Sequence, residues 1–158
     1  LTTNYGAMGG ALMPIDPADT SIYLDKPPAP FGGTGLVSSP RDYDRFLAML
    51  AGFGRAGRER VMGELAVRVG TGNLLPDGVA GPSMGPTANF GAGGRVGIGA
   101  DSGQFGWEGA AGTRGWVNMR RGIRSTFFIQ YMPLNNSALQ SDYQKALLGD
   151  VSALEGAS

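Results

Sequence analysis

Gln104-Phe105-Gly106-Trp107-Glu108-Gly109-Ala110-Ala111-Gly112-Thr113-Arg114-Gly115-Trp116-Val117-Asn118-Met119 is the stretch on which the fold turns. Aromatic and β-branched residues in Gln104 to Trp107 and in Thr113 to Met119 read as two strands, and small residues separate them. Downstream, Arg120-Arg121-Gly122 resembles a tight hairpin turn, which makes Trp116 to Met119 and Ile123 to Ile129 antiparallel neighbours. The last strand runs within Ser125 to Met132, and Arg95-Val96-Gly97-Ile98-Gly99 supplies a shorter one upstream. Their apolar runs are continuous enough for central strands covered on at least one face.

Outward from this block lie helices. Ser39 can cap the free amides of a helix, Pro40 suits its first position, and Asp42 stands where a capping-box acid belongs. Tyr43, Phe46, Leu47 and Leu50 then form one apolar stripe, and Gly52 and Gly54 end it. A second amphipathic helix is expected near Arg58 to Val69, burying Val61 or Met62, Leu65, Ala66 and Val69, although Gly63 lowers its intrinsic preference by about 1 kcal/mol. Asn136-Ser137 opens a last helix that packs Leu139, Tyr143, Leu147 and Val151 on the sheet, with Gly149 as a kink or stop and the residues after Leu154 fraying. The order is helix, helix, sheet, helix: an α+β protein with segregated antiparallel strands flanked by helices. Three segments follow: an ordered, loop-rich 1–35, a helical and loop region 36–94, and antiparallel strands with a C-terminal helix over 95–158. Within them, 70–94 is a long connection without periodicity.

Composition narrows the chemistry. The chain has 158 residues, no histidine and no cysteine, so a Ser-His-Asp triad, a thiol nucleophile, a disulfide and a zinc finger are all excluded. Thirteen basic and 13 acidic side chains cancel, which fits a folded body better than a nucleic-acid-coating protein. Glycine, at 28 residues, is far above the usual share of about 7% but has no three-residue period, excluding collagen. That much glycine raises the entropic cost of folding, which extensive pairing or a partner surface must offset. No apolar run reaches the roughly 18 residues of a membrane span, and the start at Leu1 resembles no signal peptide. The missing initiator methionine points weakly to a processed or truncated chain. Compartment stays open, with the cytoplasm favoured.

Residue by residue, no complete catalytic set can be assembled. Ser38, Ser39, Ser83 and Ser125 have no histidine partner, and neither Lys26 nor Lys145 stands three residues after a serine. Glu108 reads as an outward strand-end carboxylate and makes a paired-acid site with Asp101 only if the fold brings the two together. Scattered acids lack metal-ligand spacing, so no metal or cofactor is expected. The loops Gly91 to Gly94 and Gly109 to Gly112 can offer amides to an anion but match no phosphate-binding loop. Arg114, Arg120, Arg121 and Arg124, interleaved with Trp116, Phe127 and Phe128, superficially suggest a single-strand-binding surface; solvated hairpin arginines are the better reading.

Two blocks carry a family resemblance. Phe31-Gly32-Gly33-Thr34-Gly35-Leu36-Val37-Ser38-Ser39 with Asp42-Tyr43-Asp44-Arg45-Phe46-Leu47-Ala48-Met49-Leu50 resembles the serine β-lactamase-like hydrolases, in their esterase branch related to class C enzymes. The second block, Phe105 to Thr113 with Trp116-Val117 and Phe127-Phe128-Ile129-Gln130, is similar to that branch's third active-site strand and its hairpin partner. The likeness covers roughly 30–148 and implies a β-lactamase/transpeptidase-like fold whose 36–94 region lines the cleft. Trp107 and Gly109 match the first and third positions of the motif that reads Lys-Thr-Gly in penicillin-recognising relatives and Trp-x-Gly in esterases. By that match the Ala110 amide is the catalytic oxyanion donor, and Trp107, Glu108, Gly109 and Ala111 contact substrate.

The Ser-x-x-Lys nucleophile motif and the Tyr-x-Asn or Tyr-x-Ser motif of such enzymes are missing; Tyr5 is followed by Gly6-Ala7 and does not fit. The resemblance therefore implies the C-terminal chain of a heterodimeric serine esterase. Its first strands, nucleophile and base come from a companion chain or N-terminal fragment, and its substrate is a small ester. Alternatives are a transacylase using the same acyl-enzyme, a noncatalytic protein-binding module derived from this fold and, on composition alone, a glycine-rich extracellular binding protein. Alone, the chain is expected to be inactive and to aggregate or stay partly unfolded.

Overall fold

A computed structural model describes residues 1–79, 85–132 and 137–156. It begins with β1 (Asn4–Met8) and β2 (Ala11–Asp16), joined at Gly9 and Gly10. Both glycines have positive φ, +58° and +83°, the geometry of a two-residue hairpin turn. β1 also pairs in parallel with β10 (Tyr131–Met132), so 4–16 is a paired hairpin and not the loop expected there. The Gly-Gly pair was the overlooked hairpin signal. A 3-10 turn at Ile22–Leu24 follows, at the apolar run Ser21 to Leu24.

α1 (Pro40–Ala51) starts where its capping residues place it. The Asp42 N–H donates to Ser39 Oγ at 3.1 Å, and the Ser39 hydroxyl donates to the Asp42 carboxylate at 2.8 Å. Leu47 and Leu50 are buried as the stripe requires; Met49 is buried as well, while Phe46 stays 41% exposed. Gly52 caps the end, and Gly54 has φ +92°, where an added Cβ would fall 2.0 Å from the Met62 carbonyl oxygen.

The second helix is shorter than its periodicity predicts. Gly57, at φ +62°, lets Arg55–Ala56 (β3) fold back on Glu59–Arg60 (β4), so the chain from Arg58 starts as turn and strand. Gly63 is extended at the helix N-cap, and α2 occupies only Glu64–Gly70. Val67 is its buried residue; Leu65 and Val69 are exposed, correcting the stripe assigned to them.

Five antiparallel strands form the main sheet in the order β5-β6-β7-β8-β9: β5 (Ala88–Phe90), β6 (Arg95–Gly97), β7 (Gln104–Glu108), β8 (Arg114–Asn118) and β9 (Ile123–Phe127). The turn before β9 is the one expected, with the Gly122 N–H donating to the Asn118 carbonyl. β5 lies in the connection that showed no periodicity, because three residues are too few to display one.

α1 lies against the sheet face that carries Gly115 and Val117. Leu47, Met49 and Leu50 of α1, Val67 of α2 and Val117 of β8 make the core, with Tyr43 and Phe105 packed against it. A Cβ at Gly115 would sit 2.1 Å from Tyr43 Cε1, so this glycine admits the ring to the sheet. α3 (Ser137–Gly156) covers the other face of β9: Tyr143 stacks on Phe127 at 4.6 Å, and its hydroxyl lies 2.5 Å from Ser125 Oγ. Val151 is buried, and the helix continues through Gly149 instead of stopping there. The proposed cap Asn136, Ser83 and the last two residues lie outside the described residues. No helix among those described is long and apolar enough to cross a membrane. The architecture is α+β.

Candidate functional site

β7 and β8 pair Gly106 with Trp116, Trp107 with Gly115, and Glu108 with Arg114. Gly106 is obligatory here, since a Cβ would lie 2.2 Å from the Gly115 carbonyl oxygen and 2.8 Å from Trp116 Cδ2. Beyond the last pair the Gly109 N–H donates to the Thr113 carbonyl at 2.8 Å, and the Gly112 N–H donates to the Gly109 carbonyl at 3.0 Å. These two bonds close the loop that holds Ala110 at its exposed tip. A side chain at Gly109 would start 2.2 Å from Thr113 Oγ1, so the narrow strand end follows from the threonine packed on it.

The Ala110 N–H meets no acceptor among the described residues, whereas its neighbours are engaged. The Ala111 carbonyl accepts from the Tyr131 N–H at 3.0 Å, which ties the loop to β10. Ala110 is thus an exposed residue between two neighbours whose backbones are anchored, Gly109 and Ala111. Three residues back, Trp107 lies on the α1 face of the sheet with 45% of its surface exposed.

Glu108 ends β7 but does not project freely. Its carboxylate accepts from Arg114 Nη2, and the Arg114 side chain is only 10% exposed. Arg114 is therefore a buried structural cation, correcting its reading as a solvated hairpin residue. Arg124 is also engaged, donating from Nε and Nη2 to both Asp44 oxygens at 2.9 and 3.2 Å, across 80 positions of sequence. The bond from Arg124 holds the Asp44 carboxyl below its ordinary range, and the guanidinium is correspondingly raised. Burial pushes the Tyr43 phenol above its ordinary value, away from service as a base.

Asp101 and Glu108 do not meet. Asp101 closes the 3-10 turn Gly99–Asp101 ahead of β7 and accepts from Gln104 Nε2 at 3.4 Å. Glu108 stands at the far end of the same strand, about 13 Å further along. No cluster of three metal-ligating side chains occurs among the described residues. Ser39 is occupied as a cap and Ser125 faces the Tyr143 hydroxyl, so neither is set up as a nucleophile. The Gly91 to Gly94 loop is the β5 to β6 turn, closed by the Gly91 N–H on the Gly94 carbonyl.

Phe90 is the site residue that periodicity missed. Its ring stands 5.3 Å from Trp107 at 74°, an edge-on pair between β5 and β7. The usable signal was local: Ala88-Asn89-Phe90, a glycine-rich turn, then Arg95-Val96-Gly97 is the pattern of a hairpin. A separate apolar groove of about 460 Å³ lies between β1, β2 and α3, lined by Tyr5, Leu12, Ile129, Gln130, Tyr131 and Leu139. No protein-family model matches the chain, and neither does any curated protein.

Proposed function

We propose that this chain is the C-terminal part of a serine esterase of the β-lactamase-like type, contributing one wall of the cleft and one oxyanion donor. The observation that carries the reading is the uncommitted, exposed Ala110 amide, held between the Gly109 to Thr113 and Ala111 to Tyr131 bonds at the end of the strand bearing Trp107. In the proposed reaction a serine Oγ on companion polypeptide bonds to the ester carbonyl carbon while its proton passes to a base there. The carbonyl π pair moves to oxygen, which accepts from the Ala110 N–H and from the serine's own amide. Collapse breaks the ester C–O bond, the alcohol leaves with a proton, and water then releases the acid by the same route. An alcohol or amine in place of water gives transacylation.

Surface area supports the need for further polypeptide. A compact monomer of 16.3 kDa exposes about 7,500 Å². This chain exposes 10557 Å², with Leu36 95%, Ile22 75% and Leu65 74% exposed. The excess is of the order that large obligate interfaces bury. The same excess favours the second reading, a noncatalytic module that binds another protein through its open surfaces.

Replacing Ala110 by proline removes the amide. An oxyanion donor of this kind contributes about 3 kcal/mol to the transition state. Ala110→Pro in the assembled enzyme is therefore expected to slow acylation by about 100-fold, while circular dichroism checks that the hairpin survives. Full activity in a folded variant rejects the oxyanion role.

A further inference from the structure

Two strands distant in sequence meet at the exposed tryptophan. Trp107 comes from β7 and Phe90 from β5, their rings 5.3 Å apart and inclined at 74°. The Phe90 carbonyl accepts from the Leu74 N–H at 2.9 Å, which ties β5 to the preceding loop. Two rings standing nearly at right angles form a corner. A third ring entering it can stack on one face and meet the edge of the other, a gain beyond its buried area that an alkyl group cannot make. Trp107 itself keeps 45% of its surface open for that contact. From Trp107 to Ala110 the chain advances three residues, at most about 10 Å. An ester can cover that span with its ring at the corner and its carbonyl toward the amide.

We propose that Trp107 and Phe90 form an aryl-binding corner, so that the preferred substrates are esters carrying an aromatic ring close to the scissile carbonyl. The inference rests on the ester-hydrolase reading and adds the substrate class to it. Phe90 acts in this corner as a positioning residue, because it fixes the plane against which Trp107 presents its open face.

The test is a titration of tryptophan emission, excited at the red edge and recorded by stopped flow before turnover, in the natively purified protein with phenyl acetate or ethyl acetate. Trp107→Phe identifies the part of the signal that belongs to the corner. Saturable change with phenyl acetate is expected at a concentration at least about threefold below that for ethyl acetate. Phe90→Leu is expected to abolish this preference, and Phe90→Tyr, which keeps the ring, to preserve it. Equal response to the two esters, or an unchanged preference in Phe90→Leu, overturns the corner. Phenol release by the assembled enzyme is scored separately. Hydrolysis without aryl preference overturns the corner and leaves the esterase reading standing, whereas aryl binding without hydrolysis upholds the corner and counts against the esterase.

Discussion

Gly115 shows what one hydrogen atom decides. Any larger residue would bring a carbon to 2.1 Å from the Tyr43 ring and lift α1 off β8, where Val117 and Leu47 are both 1% exposed. Overpacking of this kind costs about 1–3 kcal/mol. In the natively purified protein Gly115→Ala is therefore expected to lower the urea midpoint, and adding Tyr43→Leu should recover part of the loss, since the clash needs both partners. Strict additivity of the two substitutions would show that the ring does not rest on the glycine. None of this is legible in sequence, where Gly115 and Gly109 look like any of 28 glycines. Their necessity comes from Tyr43 and from Thr113 Oγ1 and exists only once the strands are paired. The edge-on pair of Phe90 with Trp107 was not legible either, because it depends on a strand two positions away in the sheet.

Elements with local signals fall where the sequence puts them. α1 begins at Pro40 because Ser39 and Asp42 satisfy each other and the first amides, and three main-sheet strands follow their β-branched and aromatic runs. Where a glycine conformation overrides periodicity the reading fails, as at the Gly9-Gly10 hairpin and at Gly57, which turns the start of an expected helix into β3 and β4. The link between α1 and β9 is testable through pH. Arg124 depresses the Asp44 pKa in the folded state, so the pair stabilises above the unfolded carboxylate pKa of about 4. That contribution is lost as pH falls through the lower folded value. Both side chains are more than a third exposed, which limits the effect to about 0.5 kcal/mol at low salt. In the natively purified protein, the stability difference between Asp44 and Asp44→Asn should be present at pH 7 and vanish near pH 2. A difference that persists there would mean that the asparagine acts through packing instead.

For the whole molecule, the core cluster among the described residues is small, Leu47, Met49, Leu50, Val67 and Val117, and the surface is much larger than a monomer of this mass requires. α1 and α3 lie on opposite faces of β9, which forms one edge of the main sheet. On the proposed reading, such a body gains stability from added polypeptide, and the Ala110 amide gains a reaction only from an attacking group on that polypeptide. The most direct measurement is labelling of natively purified material with a fluorophosphonate serine probe, read by intact mass on every co-purifying polypeptide. The account predicts one adduct on the serine of a Ser-x-x-Lys sequence in a stoichiometric companion, none on the 16.3 kDa chain, and loss of labelling in Ala110→Pro. A 16.3 kDa monomer that unfolds cooperatively without a companion, or one that carries the adduct itself, would contradict it.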